Sequence, residues 1–251
     1  MNLQFISDGP ALIVQNRTRV LVVADLHFGI ESDLAYHGWH FSSRSDERLR
    51  RVCACIDATS PDLLLLLGDV KHSIPKTTRQ EFREMPDILS AFRDLVPVRV
   101  MPGNHDIGIR RFLQEGELLP KDGAVIDGVA YIHGHTTPAP ALLGHLIIAG
   151  HHHPMVSLHD EVGCSLRAPA YLAAELDPAK FRHAEKKGTR KKTRVLFMPA
   201  FNEYAGFDIL QITRHPFSPL SRSIRTERAE VFLTDGTYVG PVSALEDNVA
   251  A

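Results

Sequence analysis

Five short stretches hold most of the side chains in this chain that could grip a metal ion. They are Asp25-Leu26-His27, Gly68-Asp69, Gly103-Asn104-His105-Asp106, His133-Gly134-His135 and Gly150-His151-His152-His153. Carboxylates, imidazoles and an amide, with no thiolate among them, suit a divalent ion such as manganese, iron or zinc. In extended backbone, residues two apart point the same way. Asp25 and His27 are therefore expected to grip one ion together, and His151 and His153 likewise, with His152 turned away. Glycine beside each group lets the backbone turn sharply and come close to a ligand. Seven candidate ligands are too many for one four-coordinate ion and about right for two ions sharing a carboxylate. Two aspartates, two divalent ions and a bridging hydroxide leave a net positive centre, which attracts phosphate.

These groups need rigid elements to deliver them. Pro61 to Asp69 reads PDLLLLLGD. Five leucines in a row cannot alternate in and out, and the run is too short for an ordinary helix. It has the pattern of a strand buried on both faces, as in the middle of a parallel or mixed sheet. Arg19 to Ala24 and Val98 to Met101 are further strands, each ending at one of the polar groups. Residues 3–6 and 11–14 predict a hairpin turning at Asp8-Gly9-Pro10. Ser43 to Thr59 predicts an amphipathic helix, and Thr78 with Glu81 forms a capping box that opens another. Pro86 predicts a kink or restart in that helix. The resulting β-α-β-α-β order implies parallel strands with helical crossovers. Beyond His105 the pattern predicts a helix over 107–115. Short strands follow at 124–126, 129–132, 145–149, 155–159, 194–199, 208–212 and 230–234. Asp127-Gly128 and Asp235-Gly236 read as hairpin turns.

The 251 residues are read as a single domain spanning 1–251, with a composition that is 44% hydrophobic and 23% charged. A net charge of -2 provides no global field for nucleic acid. Three cysteines are too few for a disulfide framework and predict reduced thiols in the cytoplasm. No signal peptide is expected, because Asp8-Gly9-Pro10 stops the apolar start. No apolar stretch approaches the roughly 20 residues of a membrane helix. Histidine is over-represented at 14 residues, with seven between His133 and His159. Lys180 to Arg194 holds eight Lys or Arg in fifteen residues. It reads as an exposed loop that could track single-stranded nucleic acid through its phosphates.

The five motifs, in this order, resemble the signature of the calcineurin-like metallophosphoesterases. DLHFGIE, GDVKH, GNHD, HGH, GHHHP and PAFNEYAGF further resemble the small archaeal and bacterial branch related to enzymes found beside DNA ligase genes. The resemblance implies an α/β/β/α sandwich of two mixed sheets. It implies Asp25, His27 and His153 on a first metal, Asn104, His133 and His151 on a second, and Asp69 bridging both. His105 would sit over the phosphate and protonate the leaving oxygen, with Asp106 orienting it. Two divalent ions are implied, manganese first, with iron, zinc or nickel as alternatives. The implied reaction is hydrolysis of a phosphodiester by in-line attack of a metal-bridging hydroxide, as in a phosphodiesterase or nuclease. The branch also raises a DNA-repair helicase or ligase as a candidate partner. His152 stands where small Thr or Ser is common, which questions local packing but removes no ligand.

A lone histidine in any of these stretches is ordinarily structural or at the surface. His72 is balanced between touching substrate and supporting the site. His135 is a candidate partner of His133, and Asn202 leans towards organising a turn. Tyr36 and Trp39 could stack a base or cover the site, although such aromatics more commonly pack in a core or loop. A phosphomonoesterase or protein phosphatase is the runner-up, because one metal core serves both reactions. A non-catalytic scaffold ranks low, since His105 and every candidate ligand are present. An amidohydrolase barrel would begin with HxH and continue as regular βα units, and this chain does neither.

Overall fold

The leucine run is the next-to-last strand of a five-stranded sheet, not its centre, and both its faces are covered. The computed structural model describes residues 1–7, 9–39, 41–159, 165–181 and 192–247. Strands β1 (Asn2–Ile6) and β2 (Ala11–Gln15) form the opening hairpin, and β3 (Arg19–Val23) runs antiparallel to β2. Strands β4 (Leu63–Leu67) and β5 (Val98–Met101) then add in parallel. The strand order is β1-β2-β3-β4-β5, so the sheet is mixed. Helices α1 (Ile30–Tyr36) and α2 (Ser45–Thr59) connect β3 to β4, and α3 (Arg79–Arg93) connects β4 to β5. The Thr78–Glu81 capping box forms as read.

The second sheet contains β6 (Ala124–Ile126), β7 (Val129–Ile132), β8 (Leu146–Ala149), β9 (Pro154–His159), β10 (Ser165–Leu176), β11 (Thr193–Phe197) and β12 (Phe207–Asp208). Its order is β12-β9-β10-β11-β8-β7-β6. A hairpin of β13 (Ile224–Leu233) and β14 (Tyr238–Pro241) pairs with β10. Helices α4 (Ile209–Arg214) and α5 (Val242–Asp247) cover its outer face.

Three apolar clusters define the layers. Leu64 and Leu66 pack with Val52, Ile56, Met85, Leu89 and Phe92 of α2 and α3. Leu65 and Leu67 face the other way, against Tyr131, Ile148 and Leu196 of the second sheet. Ile147, Leu172 and Val195 meet Ile209, Ile212 and Leu245 of α4 and α5. The stack is α/β/β/α, and the unbroken leucine run follows from burial between a helix layer and a second sheet.

Several local expectations differ from what is seen. Residues 107–115 form only a 3-10 turn over Ile109–Phe112, since Gly108 and Gly116, both in the left-handed region, bound it. Residues 208–212 belong mainly to α4, not to a strand. The Asp208 carboxylate accepts from the Leu210 N–H and caps that helix, with Ile209 and Ile212 on its buried side. Helix α3 runs through Pro86 without a restart. Pro86 is exposed, so water can satisfy the carbonyl it leaves unpaired. Strand β10 has no alternating signature in SLRAPAYLAAEL, because its alanines and Pro169 carry little strand propensity. The hairpin over 3–6 and 11–14 forms, although Asp8 lies outside the described residues. So does most of the basic run, at 182–191. Among the described residues, no helix is long and apolar enough to cross a membrane.

Burial of β4 on both faces makes a direct prediction. Leu65→Ala and Leu66→Ala should each lower the unfolding free energy in urea by about 2–5 kcal/mol, although they point into different layers. A strand with one wet face would give a large loss at only one of them.

Candidate active site

Three parallel strands of the first sheet, β3, β4 and β5, end on the same edge. Asp25, Asp69 and Asn104 follow those ends within a few residues. Parallel β7 and β8 of the second sheet end beside them, followed by His133 and by Gly150 to His153. Backbone bonds tie the turns together. The Asp25 N–H donates to the Gly68 carbonyl at 3.1 Å, and the His27 N–H to the Asp69 carbonyl at 2.8 Å.

The backbone here is not extended. Asp25, His27, Asp69, His151 and His153 have φ of 57°, 47°, 47°, 69° and 43°. Among the described residues only Ser60 and Asp127 otherwise share that left-handed region without being glycine. Non-glycine residues pay steric strain there, and such strain concentrates at functional sites. The alternation argument therefore fails locally. His151 and His153 do not point to one place but fall into different groups. Asp25, His27, Asp69 and His153 form one group, and Asp69, His133 and His151 another, each with ligand atoms within 4.8 Å of one another. Asp69 belongs to both, as its Oδ2 lies 3.8 Å from His27 Nε2 and 3.3 Å from His133 Nε2. Asn104 Oδ1 stands 3.3 Å from His133 Nε2 and joins the second group.

The orientation of each ring suits cation binding. His133 Nδ1–H donates to the Leu67 carbonyl at 3.0 Å, which leaves Nε2 to face Asp69 and Asn104. His153 Nε2 is buried and makes no hydrogen bond, yet it lies 2.9 Å from Asp25 Oδ1. Two donor atoms so close, and misaligned for a hydrogen bond, face a common point as ligands of one cation do. The carboxylates, imidazoles and amide thus fit divalent ions. Close approach requires glycine: a Cβ on Gly103 would land on the Asp69 carboxylate, and one on Gly68 on the His133 ring.

His105 stands outside both groups. Its backbone N–H donates to Asp69 Oδ1 at 2.8 Å, and its ring Nδ1–H donates to the His72 carbonyl. Neither contact uses its Nε2. The Asp106 carboxylate is bound to backbone and not to the His105 ring. Its oxygens accept from the N–H groups of Gly103 (2.8 Å) and Lys71 (3.1 Å), so it braces the turn, and the His72 carbonyl sets the His105 ring. His72 also meets His27 with the two Nδ1 atoms 3.1 Å apart, and its Nε2 lies 3.6 Å from Asp33. His27, His72 and His105 cluster as a third imidazole group, with the Nδ1 atoms of all three already engaged in these contacts.

Other singled-out residues have quieter places. His152 stands outside the candidate ligand groups and turns away from them. Its Nδ1–H donates to Gly150, its Nε2 accepts from Ser218 Oγ at 2.7 Å, and its ring packs on Phe197. That contact accommodates an imidazole where a smaller side chain is common. Asn202 organises a turn, donating to the carbonyls of Asp25 and Leu26. His135 meets His133 only by ring contact at 5.3 Å. Tyr36 and Trp39 are exposed, not packed in the core. Two phenylalanines that the sequence reading passed over, Phe207 and Phe217, lie against the rings of the candidate ligands His153 and His151. Phe207 falls within the quoted PAFNEYAGF, while Phe217 carries no sequence signal.

The model of the calcineurin-like phosphoesterase family matches residues 18–172. The chain belongs to this family. As a member it is a metal-dependent phosphoester hydrolase. Its fold is similar to that of the Pseudomonas putida nuclease MPE, at 20% identity and a TM-score of 0.56, over 93% of this chain and 98% of that one. Yfce, a phosphoesterase from E. coli, matches at 17% identity over 56% of this chain and 73% of that chain. Its TM-score of 0.36 is too low to establish a shared fold. A search of the curated proteins finds no match.

Electrostatics follow from burial. Burial lowers the pKa of His27, and it takes His151 to about 2, His152 to about 3 and His135 to about 4. It also lowers that of His72. Burial acts the same way on His133, but the neighbouring Asp69 carboxylate outweighs it and raises His133 to about 9. Burial pushes Asp106 up to about 6.

Two predictions follow from this geometry. Gly103→Ala should displace the Asp69 carboxylate and reduce tight metal uptake by metal analysis, while the far-ultraviolet circular dichroism stays native. In the chelated phosphoesterase, five imidazoles hold fewer protons folded than unfolded below their ordinary value of about 6.5. The unfolded state then binds more protons, so stability is lost as pH falls from about 6.5 towards 4. Asp106, with its raised pKa, opposes this with a single proton. The Tm should drop over that window, and a Tm that is flat or rises on acidification would contradict the neutral buried rings.

Proposed function

We propose that this phosphoesterase is a dinuclear phosphodiesterase acting on nucleic acid, a nuclease. The observation that carries the proposal is the sharing of Asp69 between two ligand groups. In this reading Asp25, His27 and His153 hold one ion, Asn104, His133 and His151 hold the other, and Asp69 bridges them. Manganese is taken first on the family resemblance, while a set of oxygen and imidazole without sulfur also suits iron, zinc or nickel. The pair of cations, when bound, would supply Lewis-acid activation of water and offset charge on the phosphoryl oxygens. The chain's own residues do the rest. The strained turns hold the carboxylates and imidazoles in place, at a cost met by the packing beneath them. His105, held by its Nδ1–H on the His72 carbonyl, points Nε2 at the phosphate and protonates the leaving oxygen.

The choice of a diester draws support from the likeness of the fold to a nuclease and from the basic run Lys180–Arg194, which mostly lies outside the described residues. A helicase or ligase partner rests on the branch resemblance alone. Residues 1–251 are taken as one domain, since one apolar cluster joins both sheets.

The experiment uses manganese-loaded protein with single-stranded DNA and an activated phosphomonoester. His105→Ala should keep its metal and lose roughly 100- to 10,000-fold in kcat on DNA. Asp69→Asn should lose both metal and activity. Near-normal cleavage by either variant would end the assignment, and hydrolysis of the monoester alone would move the enzyme to the phosphomonoesterases.

A further inference from the structure

We infer that Phe207 and Phe217 form a stacking wall for a nucleobase attached to the phosphate at the metal site. The inference deepens the nuclease reading and rests on it for the position of that phosphate.

Both rings are left partly in water, Phe207 at 45% exposure and Phe217 at 41%. Their centroids are 5.7 Å apart. Phe207 lies 5.9 Å from the His153 ring, and Phe217 lies 5.6 Å from His151. Each phenyl therefore abuts a candidate ligand of a different ion group, and the pair forms one apolar strip along the rim of a polar site.

The strip is held in place. The Phe207 N–H donates to the His153 carbonyl at 2.9 Å, within the pairing of β12 with β9. The Phe217 N–H donates to Ser221 Oγ at 3.1 Å, and the neighbouring Ser218 hydroxyl donates to His152. The Phe217 ring also lies over His152 at 5.1 Å. The loop carrying this ring is thus bonded to the same turn that carries His151 and His153.

Rigid, partly exposed phenyl rings favour a planar partner. A base stacks on such a ring with little loss of freedom, and every base has a face to offer. The alternative role, shielding the histidines from solvent, would affect all ligands alike, whereas a stacking wall separates those with a base from those without.

The test is calorimetry on the manganese-loaded protein with deoxyadenosine 5′-monophosphate, deoxyribose 5-phosphate and octyl phosphate. The nucleotide should bind roughly 5- to 100-fold more tightly than the sugar phosphate. Phe207→Leu and Phe217→Leu should bring that ratio towards one, and Phe217→Tyr should restore it. Equal affinities in the wild type, no detectable binding of the nucleotide, or a ratio unchanged in both leucine variants would overturn the inference. Octyl phosphate binding as tightly as the nucleotide would also overturn it. Cleavage of single-stranded DNA reports separately on the nuclease reading. Discrimination without DNA cleavage sinks that reading and keeps the wall, and cleavage of base-bearing and abasic strands at equal rates does the reverse.

Discussion

The Asp69 carboxylate is placed at the seam between two sheets, and the rest of the site is arranged around it. One of its oxygens faces His27 on one side and His133 on the other, and the other oxygen accepts from the His105 backbone. A buried charge of this kind persists only where partners surround it. The partners come from both sheets, so the packing of one sheet on the other sets how the site is assembled. Leu65 and Leu67, next to Asp69 in the chain, lie in that same inter-sheet core. Stability and ligand geometry therefore share residues.

Tight backbone approach is the second constraint. Side chains from separate turns converge on a small volume, and the space between those turns is too narrow for a Cβ at Gly68 or Gly103. The same crowding holds five non-glycine residues at positive φ. This strain is concentrated where the candidate ligands stand, while the strands beneath are regular. The ordinary sheet acts as a clamp that keeps unusual turns in place.

The histidines divide by environment more than by sequence. His152 is buried in an apolar contact with Phe197 and tied to Ser218, while its neighbours on either side face the ion groups. His72 supports two other imidazoles through its ring and its carbonyl. Burial pushes most of these rings towards the neutral form, the form that ligates metal. His133 is the exception because of Asp69, and a cation arriving between them would compete with its proton.

Much of this was legible in the sequence. Each polar group sits at the end of an apolar run, and the run of five leucines admits few explanations other than a strand covered on both faces. The turns at Asp127-Gly128 and Asp235-Gly236 were legible for the same reason, since local backbone preference is a local property. The helix at 209–214 and the long strand at 165–176 were not, because short apolar segments take their form from what they pack against. The division of His151 and His153 between two groups could not come from alternation, because the chain there is not extended. Which ring nitrogen is free, which carbonyl holds His105, and why Phe217 lies beside His151 depend on residues far apart in the chain. Residue types, and the strand ends that deliver them, are written in the order of the chain. Who meets whom is set by the registry of two sheets packed face to face, which no local pattern encodes.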